Sequence, residues 1–182
     1  MIVVIEERRM MKMNNKLYIM VGAPGSGKTT WCKNHLDKNI VYISRDEIRF
    51  SLVRPDQQYF SKETDVYNKV IGLAQKALSE GRDVCIDQTT LDKKARRVLI
   101  DRINRPSIEI HAIWLDTPLS KCIENNNERI GRANVPEDAI RKMYSRVERP
   151  VWSERIKYLH IIRDDKEEII DLEKEALEQW SL

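Results

Sequence analysis

The stretch Gly22-Ala23-Pro24-Gly25-Ser26-Gly27-Lys28-Thr29-Thr30 concentrates more chemistry than any other part of this chain. Glycine, four residues, then Gly-Lys-Thr is the spacing of a loop that wraps phosphate oxygens with backbone N–H groups. Glycine is required where successive N–H groups turn inward, because a Cβ would block the turn or the approach. The pattern places Lys28 on the β- and γ-phosphates of a nucleoside triphosphate and the Thr29 hydroxyl on Mg²⁺. Gly22, Ala23, Gly25, Ser26, Gly27 and Thr30 complete the expected cradle. A helix starting near Lys28 adds free N–H groups and the positive end of its dipole.

Three further places carry reactive side chains just after apolar runs, where open parallel sheets hold their ligands. In Ser44-Arg45-Asp46-Glu47-Ile48-Arg49, Asp46 and Arg49 are three apart and share a helix face. A carboxylate there can take the proton of an attacking hydroxyl, and an arginine beside it can fork two hydrogen bonds to a phosphate. The competing reading is an N-capping aspartate with a surface arginine paired to it. Asp87-Gln88-Thr89-Thr90 ends another apolar run. Asp87 either approaches the Mg²⁺ shell or fixes the turn through its own backbone bonds. Arg45, Asp46, Arg49, Asp87 and Thr89 are therefore the expected acceptor-side set. The polar hinge from Asn126 to Pro136 brings Arg129 and Arg132. Arginines on a mobile lid neutralise charge on a transferring group, and Arg129 is the first choice of the two.

Basic residues Lys93, Lys94, Arg96 and Arg97 suit either phosphodiester contacts or a solvated helix face. His35, His111 and His160 sit where core or surface roles explain them, and none is placed as a base.

These residues need a scaffold of alternating strands and helices. Apolar runs near 17–22, 40–44, 83–87, 108–115 and 158–162 predict strands of a parallel sheet. Helical periodicity lies near 28–37, 46–52, 62–80, 92–104, 117–129, 136–147 and 165–180. Asp92, Thr117-Pro118 and Pro136 read as helix starts. In the last segment Ile169, Leu172, Ala176 and Trp180 form a stripe for a docked helix or an oligomer contact.

A length of 182 residues fits one domain, expected over 17–182 with residues 1–16 as an amino-terminal extension. That extension, read as an upstream-start remnant or an extra strand, sets four apolar residues before Glu6-Glu7-Arg8-Arg9. The order is wrong for a signal peptide and the run too short to span a bilayer. Cys32, Cys85 and Cys122 are odd in number and widely spaced, which argues against a disulfide framework or a zinc site and for packing in a reducing cytoplasm. With 34% charged residues but a net charge of only +3, any basic surface must be local.

Taken together, the motifs from about residue 17 to 147 resemble the 5′-hydroxyl polynucleotide kinases of the phage RNA-repair type, P-loop kinases with a short lid. The residues that carry the resemblance are Gly22 to Trp31, Ser44 to Arg49, Asp87 to Leu91, Asn126 to Arg129, Val135-Pro136 and Met143-Tyr144. It implies an α/β P-loop NTPase with a parallel sheet flanked by helices, like nucleoside-monophosphate kinases, and a lid over about 126–136. It also implies ATP and Mg²⁺ held by Lys28 and Thr29, Asp46 as general base, Arg49 on the phosphate 3′ to the accepting nucleotide, and Arg129 on the ATP phosphates. Many relatives carry asparagine where this chain has Thr90. No aspartate-rich phosphatase segment follows, so the expected activity is 5′ phosphorylation of DNA or RNA without 3′-phosphate removal. Two rivals remain: a P-loop kinase of a small hydroxyl compound such as a nucleoside, sugar acid or antibiotic, and a nucleotide-binding switch or toxin-like module.

Overall fold

A computed structural model describes residues 15–105 and 107–180, so the expectations for residues 1–14 lie outside the described residues. Strand β1 (Lys16–Val21) is the spine, with β3 (Val84–Asp87) on one side and β4 (Glu109–Leu115) on the other. It is flanked on both faces, which is why Ile19, Met20 and Val21 are buried in succession rather than alternately. β2 (Val41–Ser44) pairs with β3, and β5 (Tyr158–Arg163) with β4, all in parallel. The sheet order is β2-β3-β1-β4-β5-β6.

The helices are α1 (Lys28–His35), α2 (Arg45–Leu52), α3 (Glu63–Ser79), α4 (Lys93–Ile103), α5 (Leu119–Asn127), α6 (Glu137–Tyr144) and α7 (Leu172–Trp180). On one face of the sheet, Val66, Val70, Ile71, Ala74 and Leu78 of α3 and Leu99, Ile100 and Ile103 of α4 pack against Leu17, Ile19, Ile43, Val84 and Ile86. Each such aliphatic side chain withdrawn from water contributes about 1.5–3 kcal/mol. On the opposite face, Cys32, Trp31 and Leu36 of the α1 region cover Met20, Cys85, Ile113 and Ile162. All three cysteines are buried and free.

Two expectations are corrected. The segment 165–180 is not one helix. Its first part is β6 (Lys166–Asp171), antiparallel to β5 with Arg163 opposite Lys166, and only α7 is helical. Asp164 (φ 46°) and Asp165 (φ 59°) form the two-residue turn, with the positive φ at both central positions that hairpins of right-twisted strands demand. The supposed stripe is accordingly split: Leu172 is buried, whereas Ile169 and Trp180 are exposed.

The second correction concerns the basic cluster. Arg96 is fully buried and forks onto Glu154, Nε to Oε2 at 2.7 Å and Nη2 to Oε1 at 3.0 Å. Its Nη1 donates to the carbonyls of Leu91 and Glu148, both at 2.9 Å, so the side chain fastens α4 to the segment that follows α6. Lys93, Lys94 and Arg97 remain exposed. Of the helix starts, Asp92 caps α4 by accepting from Ala95 N–H at 2.8 Å. Pro118 and Pro136 precede the first turns of α5 and α6. The histidines are in structural settings: His111 bridges Glu109 and His160, and burial lowers its pKa to about 4.

Candidate active site

The loop between β1 and α1 lies at the carboxyl end of the central strand. Gly25 has φ 80°, and a Cβ there would lie 2.0 Å from the Cys122 carbonyl oxygen, so α5 packs against bare backbone. Gly27 has φ 95° with open space around the missing Cβ, and it precedes α1 without any side-chain cap. The first N–H groups of α1 are therefore left for an anion, the arrangement that suits phosphate. Two side chains tie the loop down from behind: the Thr117 hydroxyl donates to the Ser26 carbonyl and Asn125 Nδ2 to the Gly25 carbonyl, each at 2.9 Å. Thr117 thus serves the loop instead of capping α5.

Lys28 is buried, and its Nζ donates to the carbonyls of Gly22 and Ala23, both at 2.8 Å. Burial pushes its pKa down to about 8, against the pull of Asp87, and the charge of Arg129 pushes in the same direction. A triphosphate would supply the negative charge this cation lacks. Thr29 Oγ1 donates to Asp87 Oδ2 at 2.6 Å, and the Tyr42 hydroxyl donates to the same oxygen at 2.7 Å. Burial and that hydrogen bond raise the Tyr42 pKa. A hydroxyl and a carboxylate side by side are hard oxygen donors of the kind Mg²⁺ takes one or two of, with phosphate and water filling the rest. The residues present fit ATP and Mg²⁺. Among the described residues, the hydrogen bonds of the Asp87 carboxylate go to the Thr29 and Tyr42 side chains and not to the backbone of its own turn.

The acceptor side is built by α2 and the start of α3. Ser44, paired in register with Asp87, caps α2 by accepting from Glu47 N–H at 3.3 Å. Asp46 is not the cap, so the capping part of the competing reading falls, while the ion pair it supposed is present. Arg49 is not a surface residue either: its side chain is 6% exposed, while that of Asp46, with which its Nη1 is paired, is 64% exposed. Glu63 holds the guanidinium from the other side, accepting from Nε at 2.6 Å and Nη2 at 3.2 Å, and also from Arg45 Nη2 at 2.7 Å. Burial works against the charge on Arg49, but the Glu63 hydrogen bond together with Tyr59 and the charges of Asp46 and Glu63 outweighs it and raises the pKa. The Tyr59 hydroxyl lies between, 3.1 Å from Arg49 Nη1 and 3.5 Å from Asp46 Oδ1.

Thr89 is exposed past the end of β3, and Thr90 is buried with its hydroxyl on the Met20 carbonyl. Thr30 is exposed on the first turn of α1. In the hinge, Asn126 grips both ends: its Nδ2 donates to the Val135 carbonyl at 2.8 Å and its Oδ1 accepts from Val135 N–H at 3.0 Å. Arg129 follows α5, near enough for its charge to bear on Lys28 and Cys122. Arg132 falls in the 3-10 turn Gly131–Ala133, and its side chain lies outside what is described.

The structure thus brings together Lys28, Thr29 and Asp87 at one centre and Arg45, Asp46 and Arg49 at another. Sequence reasoning missed Tyr42, Tyr59, Glu63, Asn125 and the loop-fastening role of Thr117. Thr117 lies two residues past the end of β4, so the carboxyl-end rule applied to that strand reaches it. Glu63 and Tyr59 carry no local signal.

Comparison with known proteins agrees with this architecture. The chain is 28% identical over 120 residues to transcription factor bHLH140 of Arabidopsis thaliana (66% of this chain, 12% of that protein). It is 27% identical over 142 residues to the L-seryl-tRNA(Sec) kinase of Methanococcus maripaludis (74% and 53%). A putative bifunctional polynucleotide phosphatase/kinase of Acanthamoeba polyphaga mimivirus is 26% identical over 126 residues (67% and 26%). The chain therefore spans from about an eighth to about half the length of these relatives. Among solved structures, a chain of the Pnkp1/Rnl/Hen1 RNA repair complex superposes with TM-score 0.64 at 24% identity (74% of this chain, 44% of that chain). Kti12 of Chaetomium thermophilum, in complex with ADP-AlF3, gives 0.59 at 18% (91% and 97%). These likenesses show a P-loop kinase-like α/β fold. No helix among the described residues is long and apolar enough to cross a membrane. The AAA domain profile matches residues 17–150, most of the sequence, and the chain belongs to that family.

Proposed function

We propose that the protein transfers the γ-phosphate of ATP to the 5′-hydroxyl end of DNA or RNA. In this reading Gly22 to Thr30 cradle the triphosphate, Lys28 bears on its β- and γ-phosphates, and Thr29 with Asp87 holds Mg²⁺. When bound there, the metal would neutralise charge on the phosphates. Asp46 takes the proton of the attacking hydroxyl, Arg49 holds the phosphate 3′ to the accepting nucleotide, and Arg129, with Arg132 as the alternative, closes over the transferring group.

The observation that carries the reading is the contact between Asp46 and Arg49. A base that touches a buried, Glu63-oriented guanidinium suits an acceptor whose hydroxyl and anionic group are near neighbours, as they are in a nucleotide with a 3′ phosphate. An uncharged small alcohol has no use for such a clamp. The name of the mimivirus relative, a putative polynucleotide phosphatase/kinase, supports the same class, and that of the Methanococcus relative, an L-seryl-tRNA(Sec) kinase, supports a kinase whose acceptor is carried on a nucleic acid.

The test is phosphate transfer to a 5′-hydroxyl oligonucleotide, to a nucleoside 3′-monophosphate, and to the plain nucleoside. The 3′-phosphate is expected to improve the nucleoside by about 1.5–3 kcal/mol, the worth of a charged hydrogen bond, and Arg49→Ala to shrink that gap. Equal use of monophosphate and nucleoside by the wild type overturns the reading in favour of a small-molecule kinase.

A further inference from the structure

Next to the acceptor clamp is an aromatic side chain that the proposed chemistry does not use. Phe60, in the connection between α2 and α3, is 66% exposed although it sits beside a buried guanidinium. Its ring meets Tyr59 edge-on, with centroids 4.8 Å apart and planes at 83°. The Arg49 Cζ lies 4.7 Å from the Tyr59 centroid and 5.5 Å from that of Phe60. Phe50 adds a third ring, 6.0 Å from Tyr59. A cation with aromatic rings beside it, one of them largely exposed, is the composition that binds single-stranded nucleic acid, because a base stacks on an aromatic face whatever its identity.

The order of groups gives the position. Asp46 is paired with Arg49 and touched by the Tyr59 hydroxyl, and Phe60 adjoins Arg49 and Tyr59 on the side of the rings. An acceptor strand running 5′ to 3′ through this series puts its hydroxyl at Asp46 and its first internucleotide phosphate at Arg49. The next group along the strand is the second nucleotide.

We propose that Phe60 is a stacking platform for the base of the second nucleotide of the acceptor strand, a specificity residue that favours strands over mononucleotides. This rests on the 5′-kinase reading above. The ring binds and orients and takes no part in proton or phosphoryl transfer. Because it is exposed, removing it uncovers little core.

The experiment compares three oligonucleotides that share a 5′-hydroxyl and an intact first phosphate: one complete, one abasic at the second nucleotide, and one abasic at the fourth. For the wild type, loss of the second base is expected to raise KM by about 5- to 150-fold, the range of one base–aromatic stack, with kcat little changed. Loss of the fourth base should have little effect. In Phe60→Ala the complete and second-abasic strands should become nearly equivalent, and Phe60→Trp should restore the difference.

A Phe60→Ala enzyme that still distinguishes those two strands as the wild type does overturns the proposal, as does a wild type indifferent to the second base. If the wild type phosphorylates no oligonucleotide, the 5′-kinase reading has failed and the platform falls with it. Transfer without second-base discrimination removes the platform alone.

Discussion

Thr29 and Asp87 belong to different elements, the first turn of α1 and the end of β3, and their side chains meet at 2.6 Å across the carboxyl edge of the sheet. The contact exists because β3 is the direct neighbour of β1, so the strand that launches the phosphate loop also brings a carboxylate to its flank. Tyr42 on β2, the next strand out, donates to the same carboxylate oxygen from the other side. Asp87→Asn keeps an acceptor there but loses the charge, so the Mg²⁺ concentration for half-maximal turnover should rise about 10- to 100-fold, the usual cost of disturbing a ligand's support. Tyr42→Phe should change it far less. An unaltered Mg²⁺ requirement in Asp87→Asn would leave the residue a purely structural role.

Lys28 makes a prediction about stability that needs no substrate. Its pKa of about 8 in the folded, nucleotide-free protein lies below the ordinary 10.5. Below pH 8 the folded state carries the full cost of a buried charge. Between pH 8 and 10.5 the unfolded chain binds a proton that the folded one does not, so stability rises with pH by on the order of 3 kcal/mol from this group. Lys28→Met abolishes the titration. Urea unfolding of both proteins at several pH values across that window should therefore show the difference moving in favour of the wild type as pH rises. Parallel pH dependences would reject the burial argument. ATP should behave oppositely, binding more weakly as Lys28 loses its proton.

In the proposed mechanism Arg129 acts late. Asn126 at one end of the hinge holds Val135 at the other, closing the segment between α5 and α6 into a loop. Arg129→Ala should lower the turnover rate more than it weakens oligonucleotide binding, since a lid side chain is engaged mainly in the closed, transition-state-like arrangement. Arg132→Ala serves as the comparison. Turnover impaired only in the Arg132 variant would exchange the roles of the two residues.

How far the sequence reveals this site depends on how local the chemistry is. The phosphate loop is legible because contiguous backbone must wrap the anion, which fixes residue types at fixed spacing. Asp46 and Arg49 are legible because three residues of helix bring them together. Glu63, which orients Arg49 from fourteen positions away, is chosen by the packing of α3 on α2 and leaves no pattern along the chain. Arg96 misleads for the same reason, since its partner Glu154 is remote and makes a core ion pair look like part of a basic surface. The 165–180 segment misleads differently. Ile169, Leu172, Ala176 and Trp180 fall at helical spacing, and that signal hides the Asp164-Asp165 turn, whose left-handed backbone is unusual for residues other than Gly, Asn and Asp.

Asp46 offers the sharpest test of the chemistry, because the structure separates its two candidate roles. The cap of α2 is Ser44, so substitution of Asp46 does not release the helix terminus. Its carboxylate is largely exposed, and although the paired Arg49 is buried, Glu63 still neutralises that guanidinium and an asparagine oxygen still accepts from Nη1, so the cost is held to about 1 kcal/mol. Asp46→Asn should therefore leave the melting temperature within a few degrees of wild type, roughly what 1 kcal/mol is worth in a domain of this size. An attacking hydroxyl must lose its proton as its oxygen bonds to phosphorus; an amide of the same shape can orient that hydroxyl but cannot accept the proton. ATP and oligonucleotide binding should accordingly survive while single-turnover transfer falls by about 10²- to 10⁴-fold. If the carboxylate acted only by positioning Arg49, the loss would appear in acceptor binding instead, and the advantage of a nucleoside 3′-monophosphate over the nucleoside would shrink as it does in Arg49→Ala. Melting, binding and single-turnover measurements on one Asp46→Asn preparation decide the matter, and transfer at the wild-type rate would reject the general-base role.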